Sequence, residues 1–151
     1  MALKERIMND LKKAMKERNE VKVRTLRMVI ASIKNWEVEN TKEIDDDGMI
    51  TVLTKEAKRR KEAIEEYRKA GREDLVRAEE EELKIIESYL PERMSEEEIK
   101  ELVLKTIEEV KATSPKDLGK VMKVIMPKVK GRADGKLVNE MVRKILSDGQ
   151  T

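Results

Sequence analysis

The chain has 151 residues, 44% of them charged, with a formal net charge of +2 and neither Cys nor His. That length suits one domain or two small ones. The missing Cys and His exclude disulfides, thiol nucleophiles, Cys/His metal sites and imidazole acid–base chemistry. No apolar run is long enough to span a bilayer and no signal peptide is visible, so a cytoplasmic protein is expected. Lys, Glu, Leu, Ile and Val are abundant, Gly and Pro are few and Phe is absent, which is the composition of an all-α chain. The charge is unevenly spread. Residues 1–90 are balanced and residues 91–114 carry a net −3, while residues 115–151 carry nine Lys/Arg against four Asp/Glu, a net of +5.

Leu3, Ile7, Leu11 and Ala14/Met15 recur at helical spacing and predict a helix over roughly Leu3 to Arg18. After a break at Asn19-Glu20, a second helix buries Val23, Leu26, Val29/Ile30 and Ile33, with Trp36 closing that core. Arg24 and Arg27 flank the stripe as solvated or snorkelling side chains. Asp45-Asp-Asp-Gly48 invites a calcium reading, but an EF-hand with Gly48 as its turn glycine requires Glu where Thr54 stands. Asp45 as N-cap fits better, with Ile44 and Met49 as a hydrophobic staple and Asp46 and Asp47 at the positive end of the helix dipole. The third helix then runs to about Ala70, with Ile50, Leu53, Ala57, Ile64 and Tyr67 inward and Gly71 as its C-terminal cap. The basic run Lys58 to Lys61 reads as a salt-bridged surface paired with Glu62, Glu65 and Glu66, in preference to a nucleic-acid patch. A fourth helix spans roughly Arg72 to Leu90 with Leu75/Val76, Leu83, Ile86 and Leu90 inward. Glu79 to Glu82 reads as its charged outer face, because four consecutive helical residues cannot chelate one ion.

Pro91 pushes Leu90 away from helical angles and marks a boundary. Ser95-Glu-Glu-Glu98 is a capping box that opens a helix carrying Ile99, Leu102/Val103, Thr106/Ile107 and Val110. Ser114-Pro-Lys-Asp117 is a second strong start, followed by Leu118, Val121/Met122 and Ile125, with Pro127 near the helix end. The last helix carries Leu137/Val138, Met141/Val142 and Ile145/Leu146 and frays at Gly149. The expectation is therefore an all-α protein: a four-helix unit over residues 1–90 and a three-helix unit over residues 91–151.

Between the last two helices lies Pro127-Lys-Val-Lys-Gly-Arg-Ala-Asp-Gly-Lys136, with four cations, Lys128, Lys130, Arg132 and Lys136, beside Gly131, Gly135 and the single carboxylate of Asp134. Gly131 and Gly135 permit backbone angles that other residues resist, and Asp134 suits the start of the following helix. Such a basic loop either holds an anion or is a solvated connection between two core helices.

The stretch Met126 to Val142 resembles the C-terminal signature of the YqeY family. Lys130-Gly-Arg-Ala-Asp134 followed by Leu137-Val-Asn-Glu140, which includes Asn139, is also similar to the tail of GatB, the tRNA-binding subunit of the glutamine-dependent tRNA amidotransferase. Leu26-Arg-Met28 with Ile33-Lys-Asn35, Lys69 through Leu75, and Tyr89-Leu-Pro-Glu92 resemble further landmarks of the family, in order. The resemblance implies a helical bundle joined to a GatB-tail-like domain. It also implies tRNA contact through that domain, and a family label of carbon–nitrogen ligase activity with glutamine as amido-nitrogen donor.

The residues themselves encode no self-sufficient amidotransferase. No Cys nucleophile or Ser–Ser–Lys arrangement is visible, and Gly131 to Leu137 is one residue short of a phosphate-cradling Walker loop, ends in Leu and follows no strand. No catalytic residue, cofactor or metal is expected, and the ligase label is inherited from GatB, whose tail is not its catalytic part. Two functional readings stay open. In the first, Lys128, Lys130, Arg132 and Lys136 bind tRNA phosphates while Gly131, Asp134, Gly135 and Asn139 shape the loop. No aromatic residue follows Tyr89, so recognition would rest on phosphates and shape. In the second, the C-terminal unit docks on an amidotransferase or another translation protein, with Arg132 paired to Asp134.

Overall fold

Among the described residues, 2–148, every regular element of the computed structural model is helical, as the composition and periodicity predict. The order is α1 (Leu3–Lys16), α2 (Glu20–Asn40), α3 (Asp46–Lys69), α4 (Glu73–Glu87), α5 (Glu96–Val110), a 3-10 turn (Pro115–Asp117), α6 (Leu118–Val129) and α7 (Gly135–Asp148). The fraying expected at Gly149 lies outside the described residues. The chain divides into two compact units, Met1–Pro91 and Glu92–Thr151.

In the first unit, short polar side chains start the helices. The Asn19 side chain accepts the Lys22 N–H at 3.2 Å, and Asp45 Oδ1 accepts the Gly48 N–H at 2.8 Å. Ile44 and Met49 on either side of that cap are both buried, as a hydrophobic staple requires. Gly71 adopts φ +72°, and the Arg72 N–H donates to the Tyr67 carbonyl at 2.9 Å, which closes the end of α3. The core joins Ile7 of α1, Leu26, Val29 and Ile33 of α2, Met49, Leu53 and Ala57 of α3, and Ile86 of α4. Tyr89 follows α4 into this core. Its hydroxyl donates to Asp10 Oδ2 at 2.5 Å, and the Arg6 guanidinium lies 4.9 Å from its ring centre. Burial and the Asp10 carboxylate push the Tyr89 hydroxyl well above the ordinary phenol range.

Three readings of this unit are corrected. The inward face of α3 is wider than the apolar stripe suggests. Ile50 and Tyr67 are half-buried, while Met49, Val52, Glu56 and Arg60 are buried, because α3 packs against α1, α2 and α4 together. Arg60 is therefore no surface cation. It is 4% exposed and paired with Glu56, 3% exposed, at 2.7 Å, while Lys61 reaches Glu87 at 3.7 Å. Nor is the acidic run of α4 wholly an outer face: Glu82 is buried and meets Arg24 at 3.7 Å. Glu79, one turn earlier, is pushed above the usual carboxylate range by burial and then by the neighbouring Glu82.

The second unit begins with the capping box. Ser95 Oγ accepts the Glu98 N–H at 3.1 Å, and Glu98 Oε1 accepts the Ser95 N–H at 3.2 Å. Before α6, Asp117 Oδ2 accepts the Thr113 N–H at 2.8 Å and the Ser114 N–H at 3.3 Å, and these bonds hold its carboxyl below the usual range. The core is Ile99 and Val103 of α5, Val121, Ile125 and Val129 of α6, and Val138, Val142 and Leu146 of α7. Leu118 is only half-buried, because it sits on the first turn of α6, at the edge of that core.

Candidate nucleic-acid interface

The loop between α6 and α7 is tight. The Val129 carbonyl accepts both the Arg132 N–H at 2.8 Å and the Ala133 N–H at 3.0 Å. Gly131 is buried at φ +76°, the left-handed region that costs an L side chain about 1–2 kcal/mol. Asp134 Oδ1 accepts the Lys136 N–H at 3.0 Å and so caps the free end of α7. At Gly135 an added Cβ would stand 2.9 Å from Met126 Cε, so the missing side chain gives the methionine room against the helix start. Gly131→Ala is expected to destabilise the second unit by about 1–2 kcal/mol. Urea unfolding followed by far-ultraviolet circular dichroism checks this, and an unshifted midpoint would rule it out.

The cations divide into two kinds. Arg132 is half-buried and acts as a clip: its Nε donates to the Glu92 carbonyl at 2.9 Å, while its own carbonyl accepts the Met94 N–H at 3.0 Å. It is neither buried against Asp134 nor projecting with the lysines, and no ion pair joins Arg132 to Asp134 among the described residues. Its two terminal nitrogens make no hydrogen bond among those residues. Lys128 and Lys136 are exposed, Lys130 is half-buried, and Lys128 meets Glu109 at 3.9 Å. Asn139 is half-buried in α7. Sequence reasoning missed Glu92, because the partner of Arg132 is a backbone carbonyl forty residues away and any residue there would supply it. It also passed over Lys116, Lys120 and Lys123, though the absence of any carboxylate from α6 could have found them.

Beside the loop, α5 and α7 border an open groove of about 660 Å³ with Leu137, Met141 and Ile145 on its α7 side. Among the described residues no group of three or more acidic side chains is arranged to hold a metal ion. No helix is long and apolar enough to cross a membrane.

The profile of the family described as Yqey-like protein matches residues 4–146. The chain belongs to that family. Its relatives include the protein named altered inheritance of mitochondria protein 41, mitochondrial, from Pyrenophora tritici-repentis. It is 32% identical over 144 residues, which cover 93% of this chain and 79% of the relative. Proteins of the same name from Lachancea thermotolerans and Kluyveromyces lactis are each 37% identical over 70% of this chain. Those matches span 58% and 59% of the two fungal proteins, less than two thirds of their length. The family expected from the loop and the upstream landmarks is thus the one found.

Proposed function

We propose that the protein binds the sugar–phosphate backbone of tRNA through its second unit, without chemistry of its own. Lys128, Lys130 and Lys136 supply the charge, and Arg132 fixes the loop through Glu92 while offering its terminal nitrogens to a phosphate. The observation that carries this reading is a loop held by its own backbone bonds and by Asp134, which presents exposed cations on a rigid base. A loop backbone fixed in advance need not be ordered on binding, which leaves only the lysine side chains to be immobilised. The link to tRNA-dependent amidation rests on the likeness of this unit to the GatB tail. This reading puts the protein in an aqueous, tRNA-containing compartment: the cytoplasm expected from the sequence, or the mitochondrion that the fungal relatives' names give for those proteins. The competing reading is a docking module for a translation protein without RNA contact, and the apolar side of the α5–α7 groove is the observation in its favour.

Replacing Lys128, Lys130 and Lys136 together by Glu is expected to weaken tRNA binding about equally for different tRNAs and to flatten its salt dependence by roughly one unit per lost phosphate contact. Stability should change by about half a kcal/mol at each of the exposed Lys128 and Lys136 and by more at the half-buried Lys130, so binding is compared under conditions where circular dichroism shows the variant folded. Tight tRNA binding by this variant at low salt would remove the loop as the RNA site and leave docking as the leading reading.

A further inference from the structure

The helix that leads into the loop carries charge of one sign. Over Leu118–Val129, α6 has lysines but no carboxylate. Lys116 in the preceding turn, then Lys120 and Lys123, follow one another at about one helical turn, roughly 5.4 Å of rise each. Continued along the helix, the same face passes Pro127 and reaches Lys130. All three lysines are exposed; Lys120 lies within electrostatic reach of Asp117, and none of the three is within salt-bridge distance of a carboxylate among the described residues.

Gly119 lies among them, three residues after Lys116 and four before Lys123. It is exposed, and a Cβ built on it would meet nothing within 4 Å, so no packing contact in the structure asks for glycine there. Gly119 is the second residue of α6, and glycine there weakens the first turn relative to alanine, though less than in a helix interior. A bare backbone patch ringed by lysines is instead what a close approach by another backbone requires.

We infer that Lys116, Gly119, Lys120 and Lys123 form a second phosphate contact for double-helical RNA, continuous with the loop. The inference rests on the tRNA reading above and narrows it to a base-paired stem. Every aromatic side chain of the protein lies at or before Tyr89, so the second unit has no ring on which an unpaired base could stack. A straight row of cations with a shallow gap suits a regular phosphate ridge, which is how duplex RNA is read.

The test uses the full chain and measures fluorescence anisotropy across a salt series against a tRNA, a blunt RNA hairpin and an oligouridylate of equal length. The hairpin should bind more tightly than the oligouridylate. Replacing Lys116, Lys120 and Lys123 by Gln should flatten the salt slope by about 2–3 units. Gly119→Leu should raise the melting temperature by about 2–4 °C, since a good helix former replaces glycine, yet weaken hairpin binding about tenfold. A merely structural glycine would not separate these two readouts. Parent-like hairpin binding by both α6 variants, with binding lost in the loop variant, would overturn the inference and leave the tRNA reading standing. Equal binding of hairpin and oligouridylate would overturn the duplex assignment. No RNA binding by the parent would remove both.

Discussion

Glu56→Ala is expected to destabilise the first unit by about 3–5 kcal/mol, the usual result of stripping one partner from a buried ion pair. The Glu56 carboxylate holds three groups. It accepts from Arg60 Nη1 at 2.7 Å, from Ser32 Oγ at 2.7 Å and from Arg59 Nη1 at 3.4 Å. Among the described residues Arg60 then keeps the Glu56 backbone carbonyl at 3.2 Å, the Met28 sulfur at 3.6 Å and the more distant charge of Glu79, while its Nε has no hydrogen-bond partner among them. A guanidinium 4% exposed cannot recover water without opening the helix pairing around it. Replacing Glu56 by Leu and Arg60 by Met together should restore most of the loss, because two apolar side chains of similar size remove both desolvation costs. Urea unfolding read by the fluorescence of Trp36, the one tryptophan in the chain, reports on this unit. A Glu56→Ala midpoint matching the parent would show that water reaches Arg60 freely.

Ile125→Ala should have a comparable effect on the second unit, about 2–5 kcal/mol. Ile125 is 0% exposed at the middle of α6 and packs in the core formed with α5 and α7. The unit contains only residues 92–151, and a core that small leaves little stability in reserve. Circular dichroism, which reads all helices, should then lose signal at lower urea than Trp36 fluorescence, which reads the first unit. Coincident transitions at the parent's midpoint would count against it. This variant also controls the RNA experiments, since any binding it loses should accompany unfolding. Leu118, half-buried at the edge of α6, should cost less and is a poorer control.

Much of the fold could be read in the sequence because its signals are local. Asp45 with Ile44 and Met49, Ser95 with Glu98, and Gly71 each act within a few residues. The buried Glu56–Arg60 pair could not be read, because its spacing of four residues is also that of an ordinary surface pair. Only the convergence of three helices on α3 takes it out of water. Glu82 escaped notice for the same reason, since Arg24 lies on another helix. At the candidate site, the cations and glycines were visible as types. Whether a cation projects or clips the chain was not, because the acceptor for Arg132 is a peptide carbonyl.

The bond between Asp10 and Tyr89 bears on how the protein is made. It closes the first helix against a residue 79 positions later. At the usual pace of roughly 5–20 residues per second, a ribosome needs on the order of 4–16 s to make that interval. In that time α1 and α2, which pack on each other, can pair as a local hairpin. The seam of the bundle closes only after the codon for Tyr89 has been read and its residue has cleared the exit tunnel. Folding of this unit is therefore timed by its last residues, and the nascent chain presents an unfinished apolar edge until they emerge.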